Sequence, residues 1–283
     1  MKFKYLITAF SIIIVIIILV TTLLPLMFSG RGSAVTFRHI TLPLLIFMAF
    51  LLTGMSIFFF FNYRLFSLLE REDWPALAYY LEQKVYVKGR YSARNVKLLA
   101  GSYLVISDFQ SVLKLENKTL LAKPSLVGKN VLIFGAARVL SGGHKEAAAF
   151  FKSHLGKCDK NDKQWVHWFY GFSQLLSGTF DQAEPEFSSL AVSSDNIFIT
   201  GLSAYFLQNS ILKRSLNVQQ CRETAERGRE RVIKAINGIE SWKKETDKMG
   251  SEIHIAIIKK YIDEAGKWLF EKKPEMPPVT SNS

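Results

Sequence analysis

Two long apolar segments lie near the start of the sequence. Residues 5–28 and residues 40–63 each run for 24 residues without a charged side chain. Because about 20 apolar residues are enough for a helix to cross the hydrocarbon core of a bilayer, the pattern predicts two membrane-spanning helices. The short connection between them predicts a transmembrane hairpin over residues 1–63. A cleaved signal peptide is the alternative for the first segment, although its apolar run is longer than the usual signal-peptide core.

Basic residues around the predicted hairpin set its expected orientation. Four flank its outer ends and two lie in its connecting loop: Lys2, Lys4, Arg64 and Arg71 at the ends, and Arg31 and Arg38 in the loop. Lys and Arg concentrate on the cytoplasmic side of membrane helices. We therefore expect a multi-pass membrane protein with two spans, and with both termini and residues 64–283 in the cytoplasm.

A repeat of apolar and small residues follows in the middle of the chain. Its two clearest copies are 36 residues apart, and their matching positions are Gly135 and Gly171, Ala147 and Ala183, and Phe151 and Phe187. The first copy alone, with the apolar residues 131–134 before its glycine, also fits the strand and glycine loop of a dinucleotide-binding fold. The second copy has the apolar spacing and the length of a helix. The repeat therefore predicts two helices joined by a turn in each copy.

The glycine spacing argues against the dinucleotide-binding interpretation. That fingerprint needs two further glycines after Gly135, one for the close approach of the backbone to the pyrophosphate and one for helix packing. Ala137 and Leu140 occupy those positions. We therefore expect an all-α fold.

The repeat resembles the tetratricopeptide repeat, a helix-turn-helix unit of about 34 residues with a Leu-Gly step in its first helix and an Ala-x3-Phe pattern in its second. Gly135 and Gly171 stand at the glycine of that step. A weaker copy has its turn at Asp108, and an earlier half-copy contains Trp74 in a helix that follows the second span. The resemblance implies a right-handed α-solenoid of helix pairs over residues 64–212.

Beyond the repeats, the apolar spacing changes. Small and apolar residues recur in steps of three and four from Cys221 to Trp242, and the last predicted helix has the same spacing. This spacing is typical of helices that pack closely along a coiled-coil-like seam. We expect a helical pair over residues 213–273 that caps the solenoid. The proline-rich residues 274–283 are expected to form a disordered tail.

Net charge changes the picture close to the predicted membrane anchor. The chain has a formal net charge of +12, and the stretch "KVYVKGRYSARNVK", residues 84–97, holds five basic residues and no acid. A basic segment near a membrane attracts anionic lipids or an acidic partner. We expect anionic lipids near Lys84, Lys88 and Arg90, and a solvated helix-and-loop face is the alternative. No nucleic-acid partner is expected.

The resemblance also implies a binding surface, because the first helices of such repeats line the concave face of the solenoid. Mapping that face onto this sequence selects six residues: Arg94, Lys97, Lys129, Trp165, Trp168 and Phe172. A groove that is basic at one end and aromatic at the other suits an acidic segment with an apolar anchor in a partner protein. The alternative is that the tryptophan side chains are buried core.

Candidate catalytic and metal-binding residues are few. The sequence contains none of the zinc-protease, nucleophile-elbow or phosphate-loop motifs. His154 and Cys158 have the i, i+4 spacing of two metal ligands on a helix, and His167 could complete a three-ligand site. Gly156 lies between them where the helix is expected to end, so unrelated surface residues are the favoured interpretation. We expect neither a metal nor a cofactor.

These features predict a non-enzymatic, membrane-anchored adaptor or scaffold that binds a partner protein at the membrane surface. One alternative is a structural or assembly subunit of a larger membrane complex that uses the hairpin for packing. Another is an enzyme whose site combines residues that are far apart in the sequence, because a fold does not fix a function.

Two thiols allow the predicted topology to be tested. Cys158 and Cys221 are the two cysteines of the chain, and both lie in the predicted cytoplasmic part. We expect a membrane-impermeant maleimide to label neither of them in intact cells and to label accessible thiols after permeabilisation. Labelling before permeabilisation would place residues 64–283 outside the membrane.

Overall fold

A computed structural model describes residues 8, 12–20, 42–250 and 252–271. Every regular element within these residues is helical, as the sequence predicted. The predicted span over residues 5–28 lies outside the described residues, apart from residue 8 and residues 12–20, which are helical. The predicted tail, residues 274–283, also lies outside them.

The chain divides into two compact units, residues 1–83 and residues 84–283. In the first unit, helix α1 (Leu42–Glu70) contains a 25-residue segment, Ile46–Glu70, whose most apolar 18 residues have a mean hydropathy of 1.8. Among the helices that the structure describes, α1 is the one long and apolar enough to cross a membrane, and its apolar window is not buried. By length and composition it is therefore a candidate for the second predicted span.

Helix α2 (Trp74–Glu82) follows α1 after a tight turn and packs against it. Asp73 caps α2, because its side chain accepts a hydrogen bond of 3.1 Å from the backbone N–H of Ala76. A π-helical turn, Gln83–Val87, continues α2. The helix predicted to contain Trp74 is thus present. The end of α1 forms the first helix of a hairpin, and α2 forms the second.

The second unit consists of helices that follow one another in hairpins. Their bounds are α3 (Ala93–Val105), α4 (Phe109–Ala122), α5 (Ser125–Gly128), α6 (Val131–Leu140), α7 (His144–His154), α8 (Lys163–Leu176), α9 (Phe180–Ser193), α10 (Ile197–Phe206), α11 (Val218–Ala235), α12 (Gly238–Met249) and α13 (Ile253–Phe270). α3 pairs with α4, α6 with α7, α8 with α9 and α10 with α11. The segment around Gly135 is therefore helical, as the repeat predicted.

One turn geometry recurs at the tips of four hairpins. Its positive-φ residues are Glu72 (54°), Ser107 (59°), Gly142 (82°) and Gly178 (79°), spaced 35, 35 and 36 residues apart. In each turn the following residue donates its N–H to the carbonyl five residues earlier, at 2.9–3.1 Å. This is the Schellman arrangement, which satisfies the last carbonyls of a helix. The first two copies are weak in the sequence because neither has glycine at the left-handed position.

In each of the two central hairpins, a phenylalanine of the second helix packs against a glycine of the first helix. A Cβ atom at Gly135 would lie 2.0 Å from Cζ of Phe151, so the ring occupies the space that a side chain would need. A Cβ atom at Gly171 would lie 3.5 Å from Cε1 of Phe187. The two glycines thus let α6 approach α7 and let α8 approach α9.

The same two phenylalanines connect each hairpin to the next. Phe151 stacks on Phe169 of α8 with ring centres 5.5 Å apart and an interplanar angle of 20°. Phe187 stacks on Phe206 of α10 at 5.5 Å and 21°. Offset stacking of this kind adds to the free energy gained from burying the rings. Phe151 and Phe187 therefore fill the gap between neighbouring hairpins.

The segment after α10 contains three helices rather than the predicted pair. The predicted seam from Cys221 to Trp242 is divided between α11 and α12, because the chain turns at Gly238, where φ is +84°. Cys221 is buried on α11, whereas Ala235 at the end of that helix is exposed and Ile236 is buried after it. The spacing therefore predicted the buried face of α11 but not where the helix ends.

Helix α13 lies across the first helices of successive hairpins, a different position from the predicted terminal cap. It packs on α6 and α10, and its side chains reach α8 through ring contacts. Its start is linked to α3 by an ion pair between Glu252 and Lys97. We call the side of α3, α6, α8 and α10 that meets α13 the inner face. Much of this face is therefore covered by the chain itself.

Trp242 fixes α12 and α13 to α10. Its indole ring lies between two glycines, since an added Cβ would be 2.9 Å from the ring at Gly201 and 2.6 Å from it at Gly266. The indole N–H donates a hydrogen bond of 3.1 Å to the carbonyl of Ile262. Both the apolar and the polar parts of this buried side chain are thus satisfied.

Gly135→Ala should destabilise the second unit, because the new methyl group would overlap the ring of Phe151. Overpacking of this kind costs about 1–3 kcal/mol of unfolding free energy. Gly101→Ala in α3 is a matched control, since its Cβ would meet Ile133 at 3.8 Å, an ordinary contact. The control should stabilise the protein by up to about 1 kcal/mol, the helix propensity gained. Denaturant titration followed by circular dichroism measures both, and equal effects would contradict the prediction.

Candidate partner-binding surface

The six residues of the predicted concave face fall into two groups with opposite exposure. The basic residues Arg94, Lys97 and Lys129 are exposed. The aromatic residues are buried: Trp165, Trp168 and Phe172 are 5%, 0% and 2% exposed. The structure therefore brings the basic residues to the surface and places the aromatic ones in the core.

Helix α13 covers the aromatic group. The ring centre of Trp165 lies 5.2 Å from that of His254, and the ring centre of Phe172 lies 5.4 Å from that of Tyr261. Trp168 stacks on Phe172 at 5.0 Å, beneath this contact layer. The open aromatic end expected for the groove is thus closed by the chain's own helix. The mapping selected the side of α8 that α13 covers, and it did not include α13.

The basic group lies around the start of α13. Nζ of Lys97 is 2.7 Å from Oε2 of Glu252, and both side chains are about half exposed. A cavity of about 40 Å3 beside this pair is also lined by Lys129, Asn130 and Asp162. The space is large enough for water but too small for an organic ligand. This end of the inner face is therefore a polar surface feature and not a deep pocket.

Burial and charge set the protonation of the groups near this cavity. Burial lowers the pKa of His254 from 6.5 to about 4, so the ring is neutral at pH 7. The hydrogen bond from Lys97 lowers the pKa of Glu252. Burial, together with the charge of Asp159, raises the pKa of Asp162. The exposed Lys97–Glu252 pair contributes at most about 1 kcal/mol to stability, because water screens it.

Chemically, this surface is suited to binding acidic groups. Glu252 already presents a carboxylate to Lys97, and Arg94 and Lys129 extend the basic surface with exposed side chains. Charge-assisted hydrogen bonds from such side chains to carboxylates are stronger than neutral ones. Carboxylate groups are therefore chemically suited to contact these exposed cations.

The residues considered as metal ligands have other contacts. Nδ1 of His154 is 2.8 Å from the carbonyl oxygen of Phe150, and His167 pairs with Glu186. Helix α7 ends at His154, so Cys158 does not share a helix face with it, as the sequence predicted. Within the described residues there is no group of three or more His, Cys, Asp or Glu side chains that could hold a metal ion.

Two lysines that contact the basic stretch 84–97 were missed by the sequence analysis. Nζ of Lys118 lies 3.9 Å from the ring centre of Tyr86, and Nζ of Lys123 donates a hydrogen bond of 3.2 Å to the carbonyl of Tyr91. Both lysines are on or directly after α4, about 30 residues from the basic stretch 84–97 in the sequence. The hairpin of α3 and α4, which the weak repeat copy predicted, was the signal that could have placed them there.

Comparison with known proteins identifies the family. A sequence model of the family described as "Uncharacterised Treponema protein" matches residues 111–271, more than half of the chain. The chain belongs to this family. It is 27% identical over 218 residues to an "Uncharacterized protein" of Treponema pallidum (strain Nichols), an alignment that covers 74% of this chain and 69% of that protein. No solved structure matches the chain. The matched region runs from α4 to the end of α13, so the family includes the helix that covers the inner face.

The pH dependence of stability should reveal the burial of His254. The depressed pKa means that the unfolded chain binds more protons between pH 6.5 and about 4, so stability is complete above this window and is lost as the pH falls through it. From about pH 7 to about pH 5, the native chain should lose about 2 kcal/mol more unfolding free energy than His254→Phe. Denaturant titrations across this range test the difference. Equal losses would show that His254 is not buried against Trp165.

Proposed function

We propose that this protein is a membrane-anchored, tetratricopeptide-like adaptor that holds a partner protein at the membrane surface. The observation that carries the proposal is the recurrence of one hairpin turn at intervals of 35 to 36 residues in a chain whose α1 is long and apolar enough to span a bilayer. Stacked helical hairpins present extended surfaces that commonly bind other proteins. The apolar helix would give that surface a fixed location.

Finer features of the proposal come from the sequence. We propose two spans, over residues 5–28 and residues 40–63, with the second unit on the cytoplasmic side. The hairpins would form a right-handed solenoid of tetratricopeptide-like pairs. The proposed role is non-enzymatic and uses no cofactor. The repeated turns and the Gly135–Phe151 contact support the helical-hairpin part of the proposal.

The proposed partner-binding surface is the exposed basic end of the inner face. Arg94, Lys97 and Lys129 would bind an acidic segment, and the Lys97–Glu252 pair is an internal example of that contact. The aromatic residues Trp165 and Phe172 would support this surface from below, because α13 covers them. The sequence predicted an acidic partner segment with an apolar anchor. Because the aromatic residues are covered, the proposal keeps only the acidic segment.

A second candidate function is a subunit of a larger membrane complex. An apolar groove of about 350 Å3 in the first unit is lined by residues that include Ile14, Leu51, Gly54 and Phe58. A Cβ atom at Gly54 would have nothing within 4 Å, so the groove is open at this residue. A helix of another subunit would fit against such a surface, since small residues allow close helix packing in membranes.

Crosslinking in native membranes, followed by mass spectrometry, tests the adaptor proposal. The reversal of Arg94, Lys97 and Lys129 to Glu should remove one specific crosslinked partner. Each reversal removes an attraction and adds a repulsion, and long-range attraction between exposed charges weakens as salt is added. The wild-type crosslink should therefore decrease at high ionic strength.

A matched control variant has the same change in net charge at three lysines outside the proposed surface. Reversal of the exposed Lys243, Lys259 and Lys267, on α12 and α13, should leave the partner in place. If neither triple variant loses a partner, the proposed surface is wrong. If Gly54→Leu removes the partner while both triple variants retain it, the membrane-complex function is the correct one.

A further inference from the structure

Basic charge is concentrated between residues 84 and 129 of the second unit. This stretch contains nine Lys and Arg residues and two acids, Asp108 and Glu116. Glu116 forms a bidentate ion pair with Arg138, with N–O distances of 2.6 and 3.1 Å. Asp108 caps α4 by accepting a hydrogen bond of 3.0 Å from Ser111. Arg138 thus compensates the charge of Glu116, and the nine basic residues of the stretch far outnumber the remaining acid, Asp108.

The fold joins two segments of this stretch into one basic patch. Its members are Lys84, Lys88 and Arg90 before α3, and Lys118 and Lys123 on and after α4. The contacts of Lys118 with Tyr86 and of Lys123 with Tyr91 bring the two segments together. Within the first segment, burial and then the charges of Arg90, Arg94 and Lys88 lower the pKa of Lys84, which shows how closely these cations are grouped.

Large aliphatic side chains are exposed in both segments of the patch. Val87 is 71% exposed and lies next to Lys88. Leu121 is 87% exposed, and it lies between Lys118 and Lys123 in the sequence. Exposed aliphatic residues among cations are typical of surfaces that enter the interface of a bilayer, where acyl chains receive the apolar groups and headgroups receive the cations.

Two observations favour a lipid surface over a nucleic acid. Binding of single-stranded nucleic acids uses exposed aromatic faces for base stacking. Here a face of Tyr86 is covered by Lys118, and the most exposed apolar groups are aliphatic. The patch also begins fourteen residues after the end of α1 in the sequence, so an anchored chain would keep it within reach of a bilayer.

We infer that the basic patch docks on a bilayer surface rich in anionic lipids and inserts Val87 and Leu121 into its interface. This inference rests on the membrane anchoring proposed above. It gives the second unit two sets of binding residues, the basic patch for lipid and Arg94, Lys97 and Lys129 for a partner protein, and the two sets adjoin at Arg94. Docking would hold the unit against the membrane rather than leave it free on a tether.

The test uses the full chain in lipid nanodiscs with an environment-sensitive fluorophore at position 87. The probe is attached to Val87→Cys in a background with Cys158→Ser and Cys221→Ala. Its emission should shift to the blue in discs that contain phosphatidylglycerol, and not in discs of phosphatidylcholine alone. The shift should disappear when ionic strength is raised from about 0.1 M to about 1 M, because the screening length falls to about 3 Å.

Charge reversal should have the same effect as salt. Lys88, Arg90 and Lys118 changed together to Glu should weaken docking by at least about a hundredfold, since each cation near an anionic surface contributes roughly a factor of five. Reversal of Lys243, Lys259 and Lys267 is the matched control and should preserve the shift. A probe at Leu216→Cys, a site 98% exposed, should show no response to lipid composition.

Each contrary result has a distinct meaning. If the chain does not enter nanodiscs, the anchoring is wrong and the inference falls with it. If the chain enters but the probe at position 87 does not respond to phosphatidylglycerol, or responds no more than the probe at position 216, the inference alone is overturned. A shift on adding RNA to phosphatidylcholine discs, without one in phosphatidylglycerol discs, would make the patch a nucleic-acid surface and would also overturn it.

Discussion

The hairpins of the second unit have an apolar inner face that must be buried away from water. The packing of α13 on this face determines the arrangement of the unit. Hairpins built from α6, α8 and α10 bury one side of each helix against the paired helix, but the inner face remains. Helix α13 covers it, and Trp242 fixes α13 through its fit between Gly201 and Gly266. Each buried large side chain in this layer is worth about 1.5–3 kcal/mol. The position of α13 then decides which predicted site residues are exposed.

Local patterns predicted the hairpins well. The spacing that joins Gly135 to Phe151 is a contact between adjacent helices, so both partners lie within one repeat of the sequence. The equivalent turns at Glu72 and Ser107 were harder to see, because glycine is preferred but not required at the left-handed position, and the same helix-end hydrogen bonds form there. The geometry of a turn is retained here although its most recognisable residue is absent.

Long-range packing was not predictable from the same patterns. The mapping chose the side of α8 that holds Trp165 and Phe172, but the helix that covers this side begins at Ile253, about 80 residues later. Nothing in the sequence near the tryptophans indicates this contact. Charged residues were easier to place, because Arg94, Lys97 and Lys129 stay at the surface wherever α13 packs. The basic residues of the predicted groove are therefore exposed, and its aromatic residues are buried.

The order of these elements along the chain has a consequence for biosynthesis. Helix α13 leaves the ribosome after every hairpin whose inner face it covers. Until then, the rings of α8 and α10 are exposed in a nascent chain that already contains complete helical hairpins. Exposed aromatic surface in a partly made domain favours misassembly and binding by chaperones. The second unit thus acquires its secondary structure progressively, and its core closes only after α13 has been made.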